Sequence, residues 1–554
     1  MSNRITKAVE KKNSDMENGR VTNFMGNDSF APDPITRLKI AAASSIFGEP
    51  RYYRDGMDRK GYLKRSLPDW LIPMLTDDGG YAVGDTSAYM EKLIDAALDY
   101  DFGATLELAG ELRKDYLARL NPQVIMVRAA MHPGRARFNR DNPGLFRNIE
   151  SKVMSRADEP AVQASYYLFA NDGKKNGIPS ILKRSWADRL EKSTRYEIAK
   201  YKNSEIGMID TVRLCHANSE YLNELMSTGT LETDDEEKTW ENLRSRGRSW
   251  KEIVSVTKIP HMALLRNLRG IASELEDDAG DRRFFSGILE ELEKGVITGK
   301  QYPFRYYAAY MACKESDCNF KPLIMASLKR CMNAAVRNMP VLKGKVMVLS
   351  DNSGSAWGAI PSEYGKVTVA EIDNLSAIIT AMRSEEGYVG IFGDRLVRVP
   401  VDSESDVFET LGKINAIGTG IGFATETGVW TFFREAVEKK EHWDTVFIYS
   451  DMQAGYSQLY STKRTDCSGF IKRKGLSVKG SKDMINVMQL VEIYRRDIFR
   501  DMNVFAVQTA GYDNTVLPKS MYRTAILTGW TGKEAIYADR MIRIWDEPSS
   551  RDRI

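Results

Sequence analysis

The stretch KVMVLSDNSGSAWGAI, residues 345–360, decides how the second half of the chain folds. Lys345 to Leu349 is a short apolar run of the kind buried in a parallel sheet. It stops at Asp351-Asn352-Ser353-Gly354-Ser355, which puts one carboxylate and two hydroxyls within five positions. A small hard cation such as Mg²⁺ takes about six oxygens near octahedral geometry, several of them water. Open α/β sheets hold their ligands at the carboxyl ends of strands. The strand therefore predicts an oxygen-lined site, provided that the rest of the chain supplies partners.

After 341 strands and helices alternate. Strands are expected at Val346–Leu349, Tyr388–Phe392, Val397–Val401, Thr445–Tyr449, Val504–Val507 and Thr524–Leu527, with helices near 369–386, 425–440, 483–501 and 532–546. That rhythm over about 200 residues is the pattern of a doubly wound α/β domain. Two further pieces stand beside Asp351. FATETGVWTFFREAV (423–437) places Thr425 where a helix begins, and VFIYSDMQAG (446–455) ends an apolar strand at Asp451. GTGIGFATE (418–426) offers Thr419 as a second threonine.

From about 35 to 340 the pattern is helical. In TSAYMEKLIDAALDY (86–100) Leu93, Ile94, Ala97 and Leu98 form one stripe, and in IPHMALLRNLRGIASEL (259–275) so do Leu264, Leu265, Leu268 and Ile271. Arg266 and Arg269 point away from that stripe. Successive amphipathic helices without strands predict stacked helical pairs, although no strict sequence period is present. The expected organisation is multidomain: a polar N-terminal tail over 1–25, an all-α region over 26–340 and the α/β domain over 341–554.

Composition narrows the function. With 42% hydrophobic and 28% charged residues, the chain has the make-up of a globular protein. No apolar stretch approaches the roughly 20 residues that span a bilayer, and the polar first 20 residues lack the apolar core of a signal peptide. A cytoplasmic protein without membrane contact is expected. Five scattered cysteines fit free thiols, and Cys215 next to His216 cannot face it across a helix. Neither the Walker pattern nor G-x-G-x-x-G occurs. An aspartyl-phosphate mechanism at Asp351 would want an acid at 353, where Ser353 stands. The expectation is a nonenzymatic binding protein.

Charge points to the class of ligand. The chain carries a net +3, yet residues 121–200 hold fifteen Lys/Arg against eight Asp/Glu. A local basic surface is the footprint of a phosphate-backbone binder, and it is equally the look of solvated helix faces. Arg135, Arg137 and Arg140 in MHPGRARFNR, with Lys183 and Arg184, are candidates for phosphate contacts. Tyr201 is a candidate for stacking on an unpaired base, whereas Tyr166 and Tyr167 read better as core.

Asp-x-Ser-x-Ser, a threonine in a later loop and an Asp after a central strand together resemble the metal-ion-dependent adhesion site of von Willebrand factor A domains. The resemblance implies a site of Asp351, Ser353, Ser355, Thr425 and Asp451, with Thr419 as the alternative threonine. It implies a bound Mg²⁺ or other divalent cation, with Asp451 acting through water. Neutral hydroxyl ligands would leave positive charge for an incoming carboxylate.

The helical half resembles the TROVE module of the Ro autoantigen family. The residues that carry it are IPHMALLRNLRGI (259–271), RYEIAKYKNSEIGMIDTVRLCHANS (195–219) and YPFRYYAAYMA (302–312). The order of TROVE and von Willebrand A modules is distinctive of Ro proteins. The resemblance implies a ring of HEAT-like helical repeats closed by the α/β domain. It further implies binding of small noncoding Y RNA on the outer surface, capture of the single-stranded 3′ ends of misfolded RNA, and an exoribonuclease as a further partner. Lys200, Lys202, Arg213 and His216 become RNA-contact candidates, while Ser204 stands where the family often carries another basic residue. The alternative is a metal-dependent protein-adhesion scaffold that binds no RNA.

Overall fold

The computed structural model describes residues 20–22, 28–44, 76–77, 81–82, 86–116, 118–171, 177–201, 207–231, 239–358, 367–422, 426–452, 467–479, 485–510, 515–529 and 533–547. From Pro34 to Val336 the described chain is almost wholly helical. Both apolar stripes read from the sequence are buried: Leu93, Ile94, Ala97 and Leu98 in helix Thr86–Tyr100, and Leu264, Leu265, Leu268 and Ile271 in helix His261–Ala272. Helix starts are set by local polar chemistry. Thr194 with Glu197 and Ser249 with Glu252 form reciprocal capping boxes that satisfy otherwise orphaned backbone N–H groups. Neighbouring helices pack in pairs, Phe102–Lys114 on Asn121–Met131 and Pro303–Lys314 on Lys321–Val336. They build two cores, one from Leu38 to Leu231 and another that begins at Trp250.

Two short antiparallel pairs lie near the N-terminus, β1 (Arg20–Thr22) with β2 (Asp28–Phe30) and β3 (Thr76–Asp77) with β4 (Tyr81–Ala82). Arg20–Thr22 lies inside the stretch expected as a tail, so that reading does not extend to these residues. All six strands expected after 341 are present: β5 (Leu342–Asp351), β6 (Ser384–Phe392), β7 (Leu396–Val401), β8 (Thr445–Ser450), β9 (Asn503–Gln508) and β10 (Thr524–Thr528). They form one sheet in the order β10-β9-β8-β5-β6-β7, parallel except for the edge hairpin of β6 with β7. The order reverses between β5 and β8, which makes their carboxyl ends the topological switch point.

The sheet is buried on both sides. Val346, Val348, Phe447, Tyr449, Phe505 and Val507 face the core shared with the helices from Trp250 onward. The alternate residues Met347, Leu349, Val446, Ile448, Val504 and Ala506 face a second core under helices Glu426–Glu438 and Val487–Asp497. This period of two explains why the strands read as continuous apolar runs.

Both ends of the helical series dock on the α/β domain. At the last helices, Asn333 donates to Asp406 Oδ2 at 2.8 Å and accepts from the Val407 N–H at 3.0 Å, while Tyr310 packs on Phe408 with ring centroids 4.1 Å apart. At the first, Phe30 and Thr515 exchange backbone hydrogen bonds of 3.0 Å, and Lys519 pairs with Asp33 at 2.6 Å. Tyr116 stacks on Tyr537 at 5.1 Å, with the Lys39 ammonium 5.5 and 5.8 Å from the two rings. Tyr537, from the last helix (Glu534–Asp546), packs against both helical cores. The α/β domain thus joins the two ends of the helical series into a closed circuit.

Candidate cation site and basic surfaces

Asp351 is the last residue of β5 and has no exposed surface. Its Oδ1 accepts from the Ser353 N–H at 2.9 Å and its Oδ2 from the Ser450 hydroxyl at 2.6 Å. Ser353 Oγ and Ser355 Oγ are 3.0 Å apart. Adjacent oxygens on an octahedron of Mg²⁺ radius are separated by about 3 Å, so this pair has the spacing of two neighbouring ligands. Asp451 follows β8 and is 1% exposed, with its backbone carbonyl held by Gln508 at 3.1 Å. The structure therefore brings Asp351, Ser353, Ser355 and Asp451 together at the switch point.

A buried amide network fixes the loop. Asn352 and Asn374 hydrogen-bond each other reciprocally at 2.8 and 2.9 Å, Ser350 donates to Asn374 at 2.7 Å, and Asn374 donates to Asn415 at 2.8 Å. Gly418, in the GTGIG run, is glycine for contact: a Cβ there would lie 1.9 Å from Asn352 Oδ1. Thr419 ends helix Val407–Thr419, is exposed, and donates its hydroxyl to the Asn415 and Ala416 carbonyls at 3.1 and 3.2 Å. Thr425 lies outside the described residues.

The residue that the motif reading missed is Asp373. It belongs to helix Val369–Met382, is fully buried, and neither carboxylate oxygen completes a hydrogen bond. The Thr509 hydroxyl lies toward it without normal hydrogen-bond geometry. Burial first, then the Asp351 and Asp451 charges, push its pKa well above the usual carboxylate range. Burial and the neighbouring Asp451 push the Asp351 carboxyl up to about 7. Two buried acids with raised proton affinity beside the Asp451 charge form a site short of positive charge. A divalent cation fits that shortage. Among the described residues no three His, Cys, Asp or Glu side chains converge closely enough to hold a metal alone, so hydroxyls and water would have to complete the shell.

The basic candidates are scattered over several patches. Arg135 donates to the Ala130 carbonyl, and Arg137 and Arg140 flank Asp141 at 3.7 and 3.6 Å. Lys200 pairs with Glu241 at 3.6 Å and lies 5.7 and 5.8 Å from the Tyr196 and Tyr201 rings. Arg213 faces Asp210 at 3.5 Å. His216 is exposed in a left-handed conformation (φ 59°) at the end of helix Met208–Cys215. Lys183, on the adjoining helix Ser180–Glu191, comes within Coulombic reach of Cys215 beside it, and Arg184 is exposed. Lys202 lies outside the described residues. Tyr166 and Tyr167 are core, as their pattern implied.

The excess over 121–200 is compensated in part. Eight of its fifteen cations, Arg128, Arg137, Arg140, Arg147, Arg156, Arg189, Arg195 and Lys200, have carboxylate partners. All five cysteines are free. No described helix is long and apolar enough to cross a membrane.

No protein-family model matches the chain. No curated protein matches it in sequence. Among solved structures it is similar to the crystal structure of the Deinococcus radiodurans Ro (RSR) protein, with a TM-score of 0.56 and 11% identity, over 88% of this chain and 99% of that one. The fold, a helical series closed through an α/β domain, is Ro-like.

Proposed function

We propose that this chain is an RNA-binding protein of the Ro kind, a nonenzymatic component of a ribonucleoprotein. The observation that carries the reading is the Ro-like fold across nearly the whole chain. Docking of both ends of the helical series on the α/β domain supports it. In this reading the helices form a HEAT-like ring. Structured Y-type RNA docks on its outer surface near Lys183, Lys200, Arg213 and His216, and single-stranded 3′ ends of misfolded RNA enter the ring. An exoribonuclease would join as a partner through the bound RNA. If the reading holds, protein purified at low salt carries nucleic acid that ribonuclease removes. Preparations free of nucleic acid that also fail to bind added stem-loop RNA contradict it.

The α/β domain would hold Mg²⁺ through Asp351, Ser353 and Ser355, with Asp451 through water and a threonine from the 419–425 segment. The cation would neutralise the buried carboxylates and position the loop. Asp373 would add negative charge from beneath, which makes the site less hungry for an incoming acid than hydroxyl ligands alone. The buried acid cluster also favours a second reading, a cation-dependent protein-adhesion scaffold. RNA-free protein that captures a partner only in Mg²⁺ would establish that one.

A further inference from the structure

Helix His261–Ala272 buries Leu264, Leu265 and Leu268 and leaves Arg266 and Arg269 exposed. Helix Pro303–Lys314 packs beside it and sends Arg305 toward the same place. Between them is a cavity of about 260 Å³ with Leu265, Leu268 and Leu328 among its apolar lining. Arg305 remains open to solvent although protein surrounds most of it, which is the signature of a side chain in a concavity.

The three guanidinium groups lack the carboxylate partner that many described cations have. Arg330, nearby in sequence, makes a two-pronged pair with Glu293 at 2.8 and 2.9 Å, and Arg195 does the same with Glu224. Arg266, Arg269 and Arg305 form no ion pair with any described residue; Arg269 reaches the Ala312 carbonyl at 3.4 Å, and Arg305 lies 5.3 Å over the Phe304 ring. Burial and then the charge of Arg266 hold the Arg305 guanidinium below its ordinary proton affinity. Like charges in a partly apolar hollow repel without compensation, and a bound anion would offset that cost.

We propose that Arg266, Arg269 and Arg305 form a binding site for a phosphate group. A carboxylate offers two oxygens and one charge; phosphate offers more of both, so it suits three guanidinium forks that line one hollow better. The cavity is smaller than the roughly 300 Å³ at which drug-sized sites begin, so it suits one small group. The source is either the backbone of single-stranded RNA or a free phosphate or nucleotide. Only the first source rests on the RNA-binding reading.

The test titrates the full chain with inorganic phosphate by calorimetry and with a short labelled oligouridylate by fluorescence anisotropy. Wild type, Arg266→Ala, Arg305→Ala and Arg305→Lys are compared. Each alanine variant should weaken the bound probe by about tenfold or more, the size of a lost charged hydrogen bond. Arg305→Lys should recover only part, since a point charge lacks the planar fork. Phosphate should raise the melting temperature of wild type but not of Arg305→Ala, whose own melting temperature should equal or exceed that of wild type because a repulsion is gone. Tighter binding of oligouridylate than of phosphate identifies RNA as the source; equal binding identifies the free anion. The proposal is overturned if wild type takes neither probe, or if the alanine variants bind as wild type does. Stem-loop RNA measured in parallel separates the two claims: its persistence while the arginine variants stay neutral refutes this site and leaves the RNA reading standing.

Discussion

At the carboxyl edge of the sheet the buried charges have too few partners, whereas along helices 121–200 about half of the cations have one. Asp351 and Asp373 come from segments more than twenty residues apart and are both fully buried, where neither finds a cation among the described side chains. Arg147 is about half exposed and Arg195 about a third, and each has an acid on a neighbouring helix. Desolvation makes the first arrangement expensive and solvent makes the second nearly neutral. Uncompensated buried charge thus marks the candidate cation site, where the sign of a surface marks none. The hollow at Arg266 and Arg305 also holds charge without a carboxylate partner, of the opposite sign and on side chains still open to solvent.

The sharpest way to break this comparison is Asp351→Ala. It removes the central carboxylate at the switch point, so heat of Mg²⁺ or Mn²⁺ binding in a calorimetric titration should vanish. A cation at about a hundred times its Kd should stabilise wild type by roughly 2.7 kcal/mol and should leave the variant unmoved. RNA affinity should change little. Retained cation binding in Asp351→Ala would take the site elsewhere.

Glu150 tests burial without a ligand. It is fully buried in the first helical core, accepts one hydrogen bond from Gln163 at 2.8 Å, and desolvation pushes its pKa up to about 7. The unfolded carboxyl ionises near its ordinary value of 4.5. Between those values the folded state holds the extra proton, so stability should fall as pH rises from about 4.5 to about 7 and level off above. The full loss attributable to this group is roughly 3 kcal/mol. Denaturant titrations at several pH values should show the slope in wild type and lose it in Glu150→Gln. An equal slope in both assigns the pH dependence to other groups.

Asp373→Asn should act in two directions. Without cation it should stabilise the fold by about 1 kcal/mol, because a neutral amide removes the cost of the proton that burial forces on the carboxyl. With Mg²⁺ the advantage should shrink or reverse, as affinity for the ion drops. Melting with and without Mg²⁺ measures both, and a variant indifferent to the ion would make Asp373 a bystander. The smallest effect is expected from Arg137→Ala with Arg140→Ala. Both side chains are largely exposed beside Asp141, so the melting temperature should stay where it is. A large drop in RNA affinity from this pair would show that compensated surface charge matters after all.

The strands were legible because full burial on both faces writes an apolar run, and Asp351 and Asp451 were legible because each interrupts one. Asp373 was hidden by its helix. Val369, Ala370, Ile372, Leu375, Ile378 and Ile379 surround it on every side. That pattern was itself a signal: a helix with no solvent face leaves an acid nowhere to point but inward. Helix Val407–Thr419 went unread because Gly412 and Gly418 weaken its pattern, and Gly418 is there for contact with Asn352. The antiparallel edge strand β7 is joined to β6 by the short connection Gly393–Arg395, which strand–helix alternation does not encode. The pairing of Arg195 with Glu224 spans two helices, so no one-dimensional charge count could cancel them.

The central claim is that this closed circuit of helices binds RNA, and filter binding of a stem-loop RNA across a salt series tests it most directly. Neutralised phosphates release counterions, so the logarithm of affinity should fall linearly with the logarithm of salt, by roughly 0.7–0.9 for each phosphate contact. Replacing Lys200, Arg213 and His216 by alanine together should lower both the affinity and the slope, while an unstructured 3′ tail should be less affected. A wild-type protein that retains no more of this RNA than a neutral control at low salt would contradict the account.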